Sequence, residues 1–158
     1  MDATTALQRL VDLEEIKTLK HRYIRYMTRS LWDELEEILA PDVEASYSDG
    51  KYTFAGRDSL MAFLRGAHDL ATTQVLGFWH VTMPEIELHG ADEAHGIWAM
   101  YHFYLDKAEL QQLEMFAYYD DTYRRIDGRW RIARTGYARV MEQTLDRRQL
   151  PALALQVG

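Results

Sequence analysis

The hydrophobic pattern changes its period once along the chain, and that switch restricts the fold more than any other feature. Over residues 5–27, Leu7, Leu10, Leu13, Ile16, Leu19, Tyr23 and Tyr26 recur at spacings of three and four, the stripe of an amphipathic helix. A short second helix is predicted over residues 31–39, stopped before Pro41. Its first turn carries Asp33 and Glu34, which favour a helix N-terminus. Val43, Ala45 and Tyr47 then alternate, Ser48-Asp49-Gly50 turns, and Tyr52 and Phe54 return as a small hairpin. A third helix is predicted over residues 57–70. From residue 75 onward the period is two. Strands are predicted over 75–88, 93–106, 110–125 and 129–141, with Asp127-Gly128 a strong hairpin turn. Helices first and a long antiparallel meander after them make an α+β domain, expected over residues 1–143 with a tail at 144–158.

The strands have apolar side chains on both faces. Trp98, Met100, His102 and Tyr104 share one face of the second long strand, and Ile97, Ala99, Tyr101, Phe103 and Leu105 share the other. A sheet with one wet face shows a cleaner alternation. One face can pack the helices and line a pocket, so the other needs a second protein surface. The expectation is a homo-oligomer, dimer or trimer, that buries the outer face. The net charge of −7 argues against nucleic acid as a partner. No apolar run approaches a membrane span. The first residues lack the basic-then-apolar order of a signal peptide, and there is no cysteine, so a cytoplasmic setting is expected.

Several short motifs carry a family likeness. They are Ile16-Lys17-x-Leu19-Lys20-x-x-Tyr23, Leu31-Trp32-Asp33-Glu34-Leu35-Glu36, Ser46-Tyr47-Ser48-Asp49-Gly50-Lys51, Pro84-Glu85-Ile86, Tyr123-x-x-Ile126-Asp127-Gly128-x-Trp130 and Thr135-Gly136-Tyr137-x-Arg139. In this order they resemble the SnoaL-like branch of the nuclear transport factor two-like fold, and within it the bile-acid dehydratases. The resemblance implies a cone: a curved, mostly antiparallel sheet wrapped by three helices around an apolar cavity, with no metal or organic cofactor. It also implies a catalytic set. The family's helix-one tyrosine falls on Tyr23, its histidine on the first long strand on His80, and its arginine near the chain end on Arg139. Two family aspartates are replaced, one by Thr28 and one by His102.

Each of these residues has a plainer explanation. Tyr23 could be a core tyrosine, His80 a packed strand histidine, His102 a structural neighbour and Arg139 an exposed edge arginine. Arg139 has the opposite strand parity to Trp130 and Ile132, so an inward Arg139 needs a bulge, for which Gly136 is the natural place. The candidate substrate-binding set is Tyr26, Trp79, Trp98, Met100, Tyr104 and Tyr119, with Glu114 as a pocket acid or an interface group. His21, His68, His89 and His95 read as surface or turn residues. Asp121 reads as part of a mixed-charge strand surface.

An apolar cavity with few polar groups suits elimination or isomerisation. The leading expectation is a cofactor-independent lyase acting on a hydroxylated, largely apolar ring substrate, steroid-like or phenolic. A neutral His80 takes the proton, and Tyr23 with Arg139 or His102 holds the developing oxyanion. A lyase that releases formaldehyde from a lignin-derived diaryl compound, a ketosteroid-type isomerase or polyketide cyclase, and a non-catalytic binding domain remain open at this point.

Overall fold

The computed structural model describes residues 2–150, 154 and 156. Helix α1 (Ala3–Thr28) starts at Asp2, whose carboxylate accepts the Thr5 backbone N–H at 2.9 Å, an ordinary N-cap. Helix α2 (Trp32–Glu37), strands β1 (Leu39–Tyr47) and β2 (Tyr52–Ala55), and helix α3 (Arg57–His68) follow. Four long strands complete the fold: β3 (Val75–His89), β4 (Glu93–Asp106), β5 (Gln111–Ile126) and β6 (Arg129–Asp146). The strand order is β2-β1-β6-β5-β4-β3, and every pair is antiparallel except β1 with β6. The α+β architecture expected from the periodicity is therefore present, as three helices against a curved, unclosed six-stranded sheet. No helix among the described residues is long and apolar enough to cross a membrane.

Local chemistry explains the element ends. Asp127 and Gly128 both have positive φ, 50° and 75°, as the two-residue turn between β5 and β6 requires. β3 is an edge strand, so Pro84 can sit in it without robbing a neighbour of a hydrogen bond. Beside it, Met83 has φ 49°, and the β3–β4 register slips by one residue between Thr82 and Glu85. Pro41 lies inside β1 rather than after a helix. It occupies the stretch between Leu39 and Glu44 where the ladder to β6 is interrupted, which suits a residue with no N–H to give.

Three sequence expectations are corrected here. The buried stripe of α1 runs through Ile16, Leu19, Lys20, Tyr23, Ile24 and Met27, whereas Leu7 and Leu10 overhang the sheet and are exposed. β6 continues to Asp146, paired with Gln111, so the tail expected from residue 144 begins within the sheet; residues 151–153, 155, 157 and 158 lie outside the described set. The bulges of β6 fall where the β5 register slips, between Phe116 and Ala117 and between Thr122 and Tyr123, and not at Gly136.

Gly136 serves a different purpose. A Cβ built on it would lie 2.3 Å from the Ser46 carbonyl oxygen of β1. The parallel β1–β6 pair closes over this position, so any side chain pushes backbone against backbone. Gly136→Ala is expected to destabilise the domain by about 1–3 kcal/mol, read as a lower urea midpoint at unchanged slope. An unchanged midpoint would mean that the two strands can part here at no cost.

Candidate active site

The concave face of the sheet and the helices above it enclose a cavity of about 260 Å³. Strand alternation delivers its wall in order across the sheet: Tyr47 from β1, Tyr137 from β6, Tyr119 from β5, His102 and Tyr104 from β4, and Trp79 from β3. Tyr23 of α1 and His68 of α3 come from the helical layer. Phenols thus gather toward β1 and β6, and imidazoles toward β4 and β3.

At the phenol side, the Tyr23 and Tyr47 hydroxyls are 2.8 Å apart and both residues are buried. Ser48 and the Tyr137 hydroxyl form a second contact at 3.1 Å. Burial raises the pKa of Tyr23, partly offset by its hydrogen bond with Tyr47. Burial raises Tyr47 as well, with Tyr23 adding to it. Both phenols therefore stay protonated at neutral pH. Only one hydrogen is spent between the two oxygens; when Tyr23, which has no exposed surface, donates, Tyr47 keeps its own hydrogen for a ligand. Accepting a bond also makes it a stronger donor.

At the imidazole side, His102 stacks on Trp79 with centroids 4.5 Å apart and planes 9° apart. His68 meets the same indole edge-on at 4.9 Å. Burial pushes the His102 pKa down to about 3, with His68 adding a smaller effect. Burial alone pushes His68 down to about 4. Both rings are neutral at physiological pH. His102 is 7% exposed, and neither of its ring nitrogens has a partner; the same is true of His68 Nδ1. Buried polar atoms are rarely left unpaired; the ring nitrogens are covered by neighbouring side chains as they stand, so a molecule in the cavity pairs with them only after a small shift of that wall.

Behind the phenols lies an ion pair that the sequence reading missed. Lys20 and Asp121 are fully buried, with Nζ 2.6 Å from Oδ2, in the geometry of an ion pair rather than a directed hydrogen bond. Burial lowers the Lys20 pKa while Asp121 pulls it back up. The ammonium lies 3.4 Å from the Tyr119 ring centroid. Asp121 also accepts from Tyr123 at 2.9 Å, and Tyr123 in turn accepts from the Trp98 indole at 2.9 Å. The signal was present in the sequence. Asp121 has the strand parity of Tyr119 and Tyr123, and Lys20 lies on the helix face of Ile16 and Tyr23.

Of the four residues expected to converge, Tyr23 and His102 share the cavity and His80 and Arg139 do not. Trp79 takes the inward place on β3, so His80 points to the opposite face and is exposed. Arg139 lies beyond Tyr137 at the exposed end of the wall. Asp49 accepts from its backbone N–H at 2.8 Å and from Nε at 2.7 Å, and Glu142 accepts from its guanidinium at 3.0 Å. Among the expected substrate-binding residues, Trp79, Tyr104 and Tyr119 line the cavity. Trp98 is buried away from it under Tyr123, Met100 packs into the core, and Tyr26 faces a surface groove on the other side of α1. Glu114 is on the outer face, accepting from the Tyr101 hydroxyl at 3.0 Å and from Gln143 at 2.5 Å. The residues that sequence reasoning left out of the site are Tyr47, Tyr137 and His68. Among the described residues, no three His, Asp or Glu side chains converge as metal ligands do.

Residues 8–136 match the SnoaL-like domain family, most of the chain. The chain belongs to that family. Solved structures share the SnoaL-like fold at low identity. The hexachlorocyclohexane dehydrochlorinase LinA-type3 of Novosphingobium barchaimii LL02 is 18% identical, with 97% of this chain and 99% of that one covered and a TM-score of 0.80. A candidate scytalone dehydratase of Novosphingobium aromaticivorans is 22% identical over 89% and 91% of the two chains, with a TM-score of 0.78. An NTF2-like protein with a cystatin-like fold from the same species is 23% identical over 88% and 90%, with a TM-score of 0.69. These likenesses establish the fold of the SnoaL-like domain. They do not bear on the narrower resemblance to bile-acid dehydratases.

Proposed function

We propose that this SnoaL-like domain is a cofactor-independent lyase that eliminates water, or a comparable small group, from a hydroxylated ring substrate held in the cavity. The observation that carries this reading is His102, a buried neutral imidazole with both nitrogens unpartnered, in the same cavity as a phenol pair with a hydrogen to donate. His102 takes a proton from the carbon next to a substrate carbonyl. The electron pair left behind forms an enolate, whose oxygen the Tyr23–Tyr47 pair holds. The enolate collapses to a double bond and expels hydroxide. The hydroxide takes the proton back from the imidazolium and leaves as water, which restores the catalyst. The imidazole is unprotonated at neutral pH and so free to accept a proton. The substrate anion that forms beside it in a low-dielectric space raises its proton affinity as the transfer proceeds.

The volume narrows the substrate. A dry cavity of roughly 150 Å³ already admits benzene, so about 260 Å³ suits one or two rings and is tight for a four-ring steroid. A phenolic or other aromatic substrate is favoured over a bile acid on that ground. The isomerase reading loses its support, because its carboxylate base would have been Glu114, which lies on the outer face. The names of two fold neighbours, a dehydratase and a dehydrochlorinase, accord with elimination.

The test is a panel of one- and two-ring hydroxylated ketones and phenols, with products read by mass spectrometry for loss of water or of formaldehyde. Turnover by the chelator-treated protein, falling about 10²-fold or more in Tyr23→Phe, is the expected result. Full activity in Tyr23→Phe would return that residue to the status of a core tyrosine.

We also propose that the domain works as a homo-oligomer, in the cytoplasm. Phe116, Tyr118, Val140 and Met141 stand on the outer face of β5 and β6 with 39–68% exposure, an apolar patch unusual for a free surface. Ile97, Ala99 and Phe103, expected to need the same cover, are already half-buried within one chain. Sedimentation at micromolar concentration should show a species larger than 18.5 kDa. Tyr118→Glu should shift it toward the single chain. A monomer in the unaltered protein would refute the assignment of this face.

A further inference from the structure

A groove distinct from the cavity runs between the C-terminal half of α1 and the free edge of β3, with a volume of about 440 Å³. Ile24 and Val81 are buried along it, and the Phe78 ring stands half out of it. Its polar side chains are His21, Arg25 and Thr28 of the helix, Arg29 at the helix C-cap, and His80 of the strand; the Thr28 hydroxyl is spent on the Ile24 carbonyl. His21, Arg25 and Arg29 are spaced by four, so they lie on one face. Among the described residues, no carboxylate lines the groove. His21, Arg25, Arg29 and His80 make no ion pair among the described residues, a state Arg25 and Arg29 share with Arg9, Arg22, Arg129, Arg131, Arg134 and Arg147.

In a chain of net charge −7 this is a local inversion of sign. The negative end of the α1 dipole accounts for part of it, since Arg25 and Arg29 fall at the helix C-terminus. It does not account for the apolar wall between the charges, nor for the edge of β3 at His80, whose side chain turns to the outer face. Pockets of this size, apolar with a few convergent polar groups, are the usual form of a small-molecule site.

We propose that the groove is a second binding site, for a small amphiphilic monoanion: an apolar body carrying one carboxylate. Arg25 and Arg29 take the carboxylate as charge-assisted donors, with His21 beside them, and the body lies over Phe78 and Val81. The site is independent of the elimination chemistry above. Trp79 is the wall common to both, since it lines the groove and also stacks on His102 in the cavity.

Decanoate and decanol, each below its aggregation limit, separate the charge from the chain. Calorimetric titration at low salt should give decanoate an affinity at least about tenfold above decanol, falling as salt is added. Imidazole resonances of His21 should move on binding, and those of His102 should not. The exposed pair Arg25→Gln/Arg29→Gln, folded by circular dichroism, should bind both ligands alike. Equal binding by the unaltered protein, a preference that survives in the double variant, a shift at His102 instead of His21, or no binding because a second copy covers the groove would each overturn the proposal.

Discussion

Replacing His102 by phenylalanine lowers turnover by about 10²–10⁴-fold, the usual contribution of a general base, and leaves the domain folded. Phenylalanine keeps an aromatic ring stacked on Trp79 and removes only the two nitrogens, neither of which is bonded within the protein. The loss is therefore chemical rather than structural. The control is His80→Ala, which the resemblance alone marks as the damaging change. On the geometry described above His80 lies outside the cavity, so turnover on a one- or two-ring substrate stays within about twofold of the unaltered protein, given that no acid–base step passes through it. Rates of purified variants on the substrate found in the panel decide the matter. If His80→Ala is the crippled variant and His102→Phe the active one, the cavity is not where the chemistry happens.

Lowering the pH from 6.5 to about 4 costs the domain on the order of several kcal/mol of stability through two histidines. Both His68 and His102 have an ordinary pKa of 6.5 when the chain is unfolded, and are held to about 4 and about 3 when folded. Across that interval the unfolded chain binds protons that the folded one refuses, so stability drops as pH falls. Above 6.5 neither residue contributes a slope. His68 has given up its share by about pH 4, and His102 continues to about pH 3. Urea midpoints measured from pH 7.5 to 4 should therefore fall steeply in the unaltered protein and much less in His68→Leu/His102→Phe. Parallel curves for the two proteins would show that the rings become protonated in place, with water admitted to the cavity.

The period switch near residue 75 was enough to find all four long strands, because each alternates over many residues and is bounded by a short turn. Alternation also placed His102, Tyr104 and Tyr119 on the concave face correctly. It could not place His80, which was expected inward on the resemblance alone; on β3 the inward place falls to Trp79, and His80, the next residue, faces the other way. Arg139 entered through the resemblance, against its own strand parity, and nothing local shows that Asp49, ninety positions earlier, would hold it at the rim. His68 looks like an ordinary basic residue closing a helix. Its burial depends on α3 meeting Trp79 of β3, a tertiary event with no trace in either segment. Lys20 and Asp121 were legible one at a time by face and parity, but a charge at a buried position is normally discounted unless its partner is known.

The lone parallel pair in the sheet sets an order of events at the ribosome. β1 emerges early, and besides the four-residue β2 its only neighbour is β6, the last strand to be made. Until Arg134–Gly136 arrive, Glu44–Ser46 have no second ladder partner, and Tyr47 stands beside no Tyr137. The helices α1 and α3 must likewise wait for the strands that cover their apolar faces. Closure is a late, long-range event with a large loop to pay for, and the nascent N-terminal third spends most of its synthesis time with its future cavity wall open to any chaperone or neighbouring chain.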